Sequence, residues 1–63
     1  MTKAQEYMLK YIKENDGPKP SEVVEQTHKY CVPADEAALS QMLYILIAKS
    51  RVLVKDGKLY LKR

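Results

Sequence analysis

The chain contains 63 residues, of which 46% are hydrophobic and 30% charged, and its formal net charge is +3. This length predicts one domain with a small core, since it buries only about 60% of the surface that the unfolded chain exposes. A lone cysteine excludes an internal disulfide, a lone histidine argues against a metal site, and no apolar stretch approaches the roughly 20 residues of a membrane helix. We therefore expect a single cytoplasmic domain over residues 1–63, without signal peptide, metal, cofactor or membrane contact.

The charge is distributed unevenly along the chain. Residues 1–48 contain five lysines and seven acidic residues, which gives a net charge of −2. Residues 49–63 contain six cations and only Asp56 as an acid, which gives +5, and the two values add to the +3 of the whole chain. An acidic body with a basic C-terminal end is the charge distribution expected of a protein that binds a polyanion.

The N-terminal segment predicts an amphipathic helix over about residues 3–14. Thr2 and Gln5 fit a capping box at its start, and Gly17 is expected to end it in the left-handed conformation. Apolar residues follow at the spacing of a one-sided helix. They are Ala4, Tyr7, Met8, Tyr11 and Ile12. We expect the two tyrosines to lie in the core or at its edge.

A second, shorter helix is predicted over about residues 21–31. The preceding segment, 17–20, should be extended because its two prolines disfavour helix, and the Lys19 N–H could pair with the edge of a later hairpin. Ser21 is a favourable N-cap residue. The buried stripe is expected to contain Val23, Val24, Thr27 and Cys31.

A third helix is predicted over about residues 34–50, with Asp35 in its first turn. One face should be buried in the core, and it contains Leu39, Met42, Leu43, Leu46 and Ser50. The outer face contains Ala37, Gln41, Tyr44, Ile45 and Ala48. This outer face is unusually apolar, because an ordinary surface helix would carry charged residues there.

The C-terminal segment predicts a β-hairpin over about residues 51–62. Asp56-Gly57 is typical of a two-residue type I′ turn, in which both central residues need a positive φ. Side chains alternate along a strand, so one face should be apolar and cover the core. This face contains Val52, Val54, Leu59 and Leu61. The opposite face contains Arg51, Leu53, Lys55, Lys58, Tyr60 and Lys62. The fold class is therefore α+β, with three helices followed by a two-stranded hairpin.

The chain resembles the winged helix-turn-helix domain of small prokaryotic and phage regulators. The resemblance rests on the order of the predicted elements and on the segments SEVVEQ, LSQMLYILIAKS and VLVKDGKLYL. The resemblance covers nearly the whole chain. It implies a transcriptional regulator that binds double-stranded DNA, with the third helix in the major groove and the hairpin, or wing, on the backbone or in a minor groove. We also expect a dimer, because two copies double the charge contacts and bury more apolar area. The residues that the resemblance implies as DNA contacts are Ser40, Gln41, Tyr44 and Lys49 on the helix, and Arg51, Lys55, Lys58 and Lys62 on the wing.

Each part of this hypothesis has an alternative. The wing lysines could bind phosphates, or they could keep an exposed strand edge soluble. Ser40 and Gln41 could contact base edges, or they could be ordinary solvated residues. The third helix also begins with two acids, Asp35 and Glu36, which would repel phosphate, and it has no Arg or Lys before its C-terminal end.

A second hypothesis is a protein–protein interaction module on the same scaffold. Its contact surface would be the apolar part of the outer helix face, Ala37, Tyr44, Ile45 and Ala48, which would bind a partner protein or a second copy of the chain. An enzyme is not expected, because one histidine and one cysteine provide little for a catalytic site and so short a chain leaves little room for a pocket.

Overall fold

The computed structural model describes residues 1–31 and 35–62 and contains three α-helices followed by an antiparallel β-hairpin. The elements are α1 (Lys3–Glu14), α2 (Pro20–Tyr30), α3 (Glu36–Ala48), β1 (Val52–Lys55) and β2 (Lys58–Leu61). The predicted α+β fold class is confirmed. None of the helices in the described part of the chain is both long and apolar enough to cross a membrane.

All five elements contribute to one hydrophobic core. Its fully buried side chains include Met8 of α1, Val23 of α2, Leu39 and Leu46 of α3, Val52 of β1 and Leu59 of β2. α1 contacts α2, α3 and β2, and α3 contacts α1, α2 and β1, so these two helices connect the other elements. Each fully buried aliphatic side chain of this size contributes about 1.5–3 kcal/mol.

α1 has the predicted bounds and the predicted N-terminal cap, and only its C-terminal cap differs. The Thr2 side chain accepts a hydrogen bond from the Gln5 N–H at 3.1 Å, and Gln5 Oε1 accepts from the Thr2 N–H at 3.0 Å, so the predicted capping box is confirmed. Gln5 is itself buried, and its side-chain amide donates to the backbone carbonyl of Met42 at 3.3 Å. The same residue therefore caps α1 and holds its start against α3.

The C-terminal cap of α1 differs from the prediction. The C-cap residue is Asn15, which is extended, and its side-chain amide donates to the Tyr11 carbonyl at 2.9 Å. Gly17 does have a positive φ of 66°, but it lies two residues beyond the cap. A Cβ at Gly17 would lie 2.8 Å from the hydroxyl of Tyr60, so both the backbone angle and close packing against β2 require glycine.

The start of α2 was also predicted wrongly. Pro20 is its first residue and Lys19 is the N-cap, without a side-chain capping bond, whereas Ser21 lies inside the first turn. A proline suits this position because its fixed φ matches the helix and its missing N–H would have no helical partner. The predicted stripe of Val23, Val24 and Thr27 is buried, and α2 ends at Tyr30 with Cys31 half-buried at the C-cap.

α3 is shorter than predicted at both ends. Its predicted start at about residue 34 falls within positions 32–34, which lie outside the described residues. Asp35 is the N-cap rather than a residue of the first turn, and its carboxylate accepts from the Ala38 N–H at 2.7 Å. At the other end, Ser50 is exposed and left-handed with φ 61° instead of belonging to the buried stripe. The Ser50 and Arg51 N–H groups donate to the carbonyls of Ile47 and Leu46, which is a Schellman motif.

The hairpin has the predicted register. Val52 faces Leu61, Leu53 faces Tyr60, Val54 faces Leu59, and Lys55 faces Lys58. Asp56 and Gly57 both have a positive φ, 53° and 73°, as a type I′ turn requires. The regular strands are shorter than the predicted span of 51–62.

One residue of the predicted core face, Val54, is 51% exposed, although its cross-strand neighbour Leu59 is fully buried. The position of β2 explains the difference. The Leu59 N–H points away from β1 and donates to the Pro18 carbonyl at 2.9 Å, so β2 is flanked on both sides while β1 is an edge strand. The predicted contact between this segment and the hairpin edge therefore exists, but it uses the carbonyl of Pro18 and not the N–H of Lys19.

Candidate nucleic-acid interface

Four cations share one face of the hairpin: Arg51, Lys55, Lys58 and Lys62, which we call the basic hairpin face. Lys55 and Lys58 lie directly opposite each other beside the turn. Arg51 and Lys62 are opposed at the base, where the Lys62 N–H donates to the Arg51 carbonyl at 3.2 Å. All four residues are exposed. The pairs are four residues apart along a strand, which corresponds to about 13 Å.

None of these four cations forms a salt bridge among the described residues, where one salt bridge is found, although Glu14 and Asp16 line a groove beside Lys62. That bridge joins Lys29 and Glu25 on α2 at 4.0 Å, and both side chains are largely exposed. Like charges directly opposite each other destabilise a strand pair. A polyanion on this face would relieve that repulsion, because each of its negative charges could lie between two cations.

The outer face of α3 carries the other predicted DNA contacts. Ser40, Gln41 and Tyr44 are exposed, and the exposed fraction of Tyr44 is 68%. Lys49 caps the C-terminal end of α3 and lines a shallow groove together with Arg51. The end of α3 and the base of the hairpin therefore form one continuous positive surface.

The N-terminal end of α3 has the opposite charge. Asp35 has a structural role, because its carboxylate caps the helix, and Glu36 is exposed in the first turn. An anion approaching this end meets two carboxylates in place of the free N–H groups that make other helix starts attractive to phosphate. Phosphate contacts are therefore favourable only at the C-terminal end of α3.

The predicted protein-interaction residues are also accessible. Ala37, Tyr44, Ile45 and Ala48 are all exposed, with Ile45 at 38%. No charged residue occurs between Glu36 and Lys49. The structure thus places predicted DNA contacts and predicted protein contacts on the same face of α3, and Tyr44 belongs to both sets.

A group of three tyrosines between α1 and α2 was only partly foreseen. Tyr7 and Tyr11 are half-buried, which agrees with their prediction as core-edge residues. Tyr30 was not singled out, yet its ring stacks on Tyr7 with 4.5 Å between the ring centroids and 9° between the planes. No local pattern identifies this contact, because it depends on how α2 lies across α1.

Tyr11 makes a second link between these helices. Its hydroxyl donates to the carboxylate of Glu22. This hydrogen bond, with smaller contributions from desolvation and from the negative charge of Glu22, raises the pKa of Tyr11 to about 12. The hydrogen bond joins α1 to α2. Among the described residues, no group of three potential metal-ligating side chains is found.

Comparison of this chain with protein-family models, curated proteins and solved structures finds no match.

Proposed function

We propose that this protein is a small winged-helix DNA-binding protein that acts as a transcriptional regulator. The observation that carries this proposal is the basic hairpin face, on which four exposed cations oppose each other in two pairs without a salt bridge in the described part of the chain. The phosphates of duplex DNA are a polyanion that can neutralise both pairs of cations. Each phosphate contact also releases condensed counterions, which favours binding.

α3 contributes less than the hairpin in this proposal. Lys49 extends the positive surface, whereas Asp35 and Glu36 keep phosphate away from the other end of the helix. Gln41 has the side-chain amide that can form two hydrogen bonds with adenine, and Ser40 and Tyr44 lie beside it on the exposed side. Binding should therefore be dominated by phosphate contacts, with modest sequence preference.

The test is a fluorescence anisotropy titration of an arbitrary labelled duplex at about 50 and about 200 mM salt. A protein with four phosphate contacts should bind at the lower salt concentration and lose about two orders of magnitude in affinity at the higher one. The double variant Lys55→Glu, Lys58→Glu should abolish binding and flatten the salt dependence of whatever affinity remains.

The matched control is Lys3→Glu, Lys10→Glu on α1, which makes the same change in net charge at two exposed positions that lie beside Tyr30 of α2 and not beside the hairpin. Circular dichroism verifies that both double variants fold. Equal losses of DNA affinity in the two double variants would show that net charge alone drives binding. Absence of binding by the unmodified chain at the lower salt concentration would refute the proposal.

A second candidate function is a protein-interaction module. The observation that favours it is the exposure of Tyr44 and Ile45 on a helix face without charge. The double variant Gln41→Ala, Tyr44→Ala separates the two functions. Loss of DNA binding with an unchanged oligomeric state supports the DNA-binding function, whereas loss of self-association or partner binding supports the interaction module.

A further inference from the structure

The centre of the outer face of α3 is a straight stripe of four exposed residues, Ala37, Gln41, Tyr44 and Ala48. The successive spacings of four, three and four residues keep side chains in one line along a helix, as in the contact seam of a coiled coil. The stripe is uncharged, so two copies of it can meet without repulsion between like charges. Small residues lie at both of its ends and larger ones at its middle.

We infer that this stripe binds the same stripe of a second copy, with the two α3 helices antiparallel. A two-fold axis midway between Gln41 and Tyr44 places Ala37 opposite Ala48 of the second copy. It also places Gln41 beside Tyr44 of the second copy, and each contact occurs twice, as in any isologous interface. The stripe is thus complementary to itself in this register.

Packing in this register is favourable along the whole stripe. Tyr44 and Gln41 at the middle set the distance between the two helix axes to about 10 Å, the upper end for packed helices, and the alanines at both ends add no further bulk. At the middle, the ring of Tyr44 covers the aliphatic part of Gln41 from the other copy, whose side-chain amide can hydrogen bond to the tyrosine hydroxyl. Tyrosine is also among the residue types that contribute most to protein interfaces.

Charge selects the antiparallel orientation. The N-terminal end of α3 is acidic, with Asp35 and Glu36, and the C-terminal end is basic, with Lys49 and Arg51. Antiparallel helices place the acidic end of one copy beside the basic end of the other, whereas parallel helices would place like charges together. Within the described residues, none of these four side chains takes part in a salt bridge.

This inference rests on the second candidate function and names its partner. It excludes the base contacts of Gln41 and Tyr44 described for the DNA-binding function, but it leaves the phosphate contacts of the basic hairpin face accessible. In the dimer, Gln41 and Tyr44 are covered, so DNA contacts fall on Lys49 and on the basic hairpin faces of both copies. The variant Lys55→Glu, Lys58→Glu should therefore remain dimeric. Failure of the dimer and failure of DNA binding are consequently separate results.

Sedimentation equilibrium tests self-association. The full chain should sediment at twice its mass of 7.3 kDa, and Tyr44→Lys should raise the dimer dissociation constant by about 10-fold or more. The matched control is Tyr30→Lys, because Tyr30 is also 68% exposed but lies on α2. Circular dichroism verifies the fold of both variants. The control should retain the dissociation constant of the unmodified protein.

Cross-linking tests the orientation. In a Cys31→Ser background, Ala37→Cys and Ala48→Cys chains are oxidised separately and as a mixture. Antiparallel packing predicts a disulfide-linked dimer in the mixture alone, because identical cysteines would be separated by about 16 Å along the helix axis. Cross-linking of each variant with itself would overturn the antiparallel arrangement.

Two sedimentation results would overturn self-association through this stripe. One is a monomer at every concentration up to about 1 mM, a range in which even a weak dimer is populated. The other is equal weakening of the dimer by Tyr44→Lys and Tyr30→Lys. Either result would mean that the outer face of α3 contacts a different protein or DNA and not a second copy of the chain.

Discussion

α1 and α3 have nearly the same length, 12 and 13 residues, and each buries one side in the same core. Their outer sides differ completely. α1 exposes five charged residues, Lys3, Glu6, Lys10, Lys13 and Glu14. α3 exposes none between Glu36 and Lys49. The core needs only one side of each helix, so the apolar character of α3 exceeds what folding requires, and its outer side is better suited to a partner surface than to water.

The largest predicted effect is the difference in the free energy of unfolding between substitutions on the two sides of α3. Leu46→Ala removes a buried side chain from the centre of the core and should lower the free energy of unfolding by about 3 kcal/mol, because a cavity adds to the lost hydrophobic burial. Tyr44→Ala on the outer side should change it by less than about 0.5 kcal/mol in the monomer.

Urea denaturation followed by circular dichroism, at concentrations low enough to exclude self-association, measures both effects. A large loss of stability for Tyr44→Ala under these conditions would show that the outer side is already required for folding of a single chain.

The N-terminal ends of the two helices are both capped by side chains, and this similarity can be tested at α3. Asp35→Ala removes the bond to the Ala38 N–H and should cost about 1 kcal/mol of stability. Asp35→Asn is the matched control, since its amide oxygen can accept the same hydrogen bond without the negative charge. Equal destabilisation by both variants would indicate that the charge matters more than the cap.

The C-terminal ends differ, because only α3 ends in a Schellman motif. Its left-handed residue is Ser50, and a non-glycine residue in this conformation is strained by about 1–2 kcal/mol. Ser50→Gly should therefore stabilise the protein by several tenths of a kcal/mol, after subtraction of the greater entropy of glycine in the unfolded chain. Thermal unfolding of this variant beside Ser50→Ala, which relieves no strain, measures the gain, and identical midpoints would argue against it.

The smallest effect concerns the link from Tyr11 of α1 to α2. Since the pKa of Tyr11 is raised to about 12 from 10.0, the contribution of its hydrogen bond is complete below pH 10 and is lost as the pH rises through 12. Phenolate absorbance should show one of the five tyrosines titrating late. Glu22→Gln should return that titration toward pH 10, and an unchanged late titration in this variant would assign it to another tyrosine.

Local signals in the sequence were sufficient at the start of α1 and in the hairpin. Thr2 and Gln5 predicted the start of α1, and Asp56-Gly57 predicted the turn and hence the register of the whole hairpin. Ser21 illustrates a competition between two such signals, because Pro20 starts the helix one residue earlier.

Predictions were wrong where distant parts of the chain decide. Val54 has the alternation of a core residue, but it lies on an edge strand, and only the contact between Pro18 and β2 determines which strand is the edge. Similarly, Tyr30 stacks on Tyr7 because of the way α2 crosses α1. The residue types of the candidate interface could be read from the sequence, whereas the absence of ion pairs on the basic hairpin face in the described residues required the structure.

The hydrogen bond from the Leu59 N–H to the Pro18 carbonyl joins the hairpin to a segment that is far away in the sequence. The amide proton of Leu59 is therefore shielded by a bond that exists only while the hairpin is docked on the helices. Its exchange with solvent deuterium proceeds only through openings that detach the hairpin or unfold the whole domain. The exchange rate of this single proton thus measures how firmly the hairpin is held on the helices. The exchange would become slower if a bound ligand pressed the hairpin against the helices.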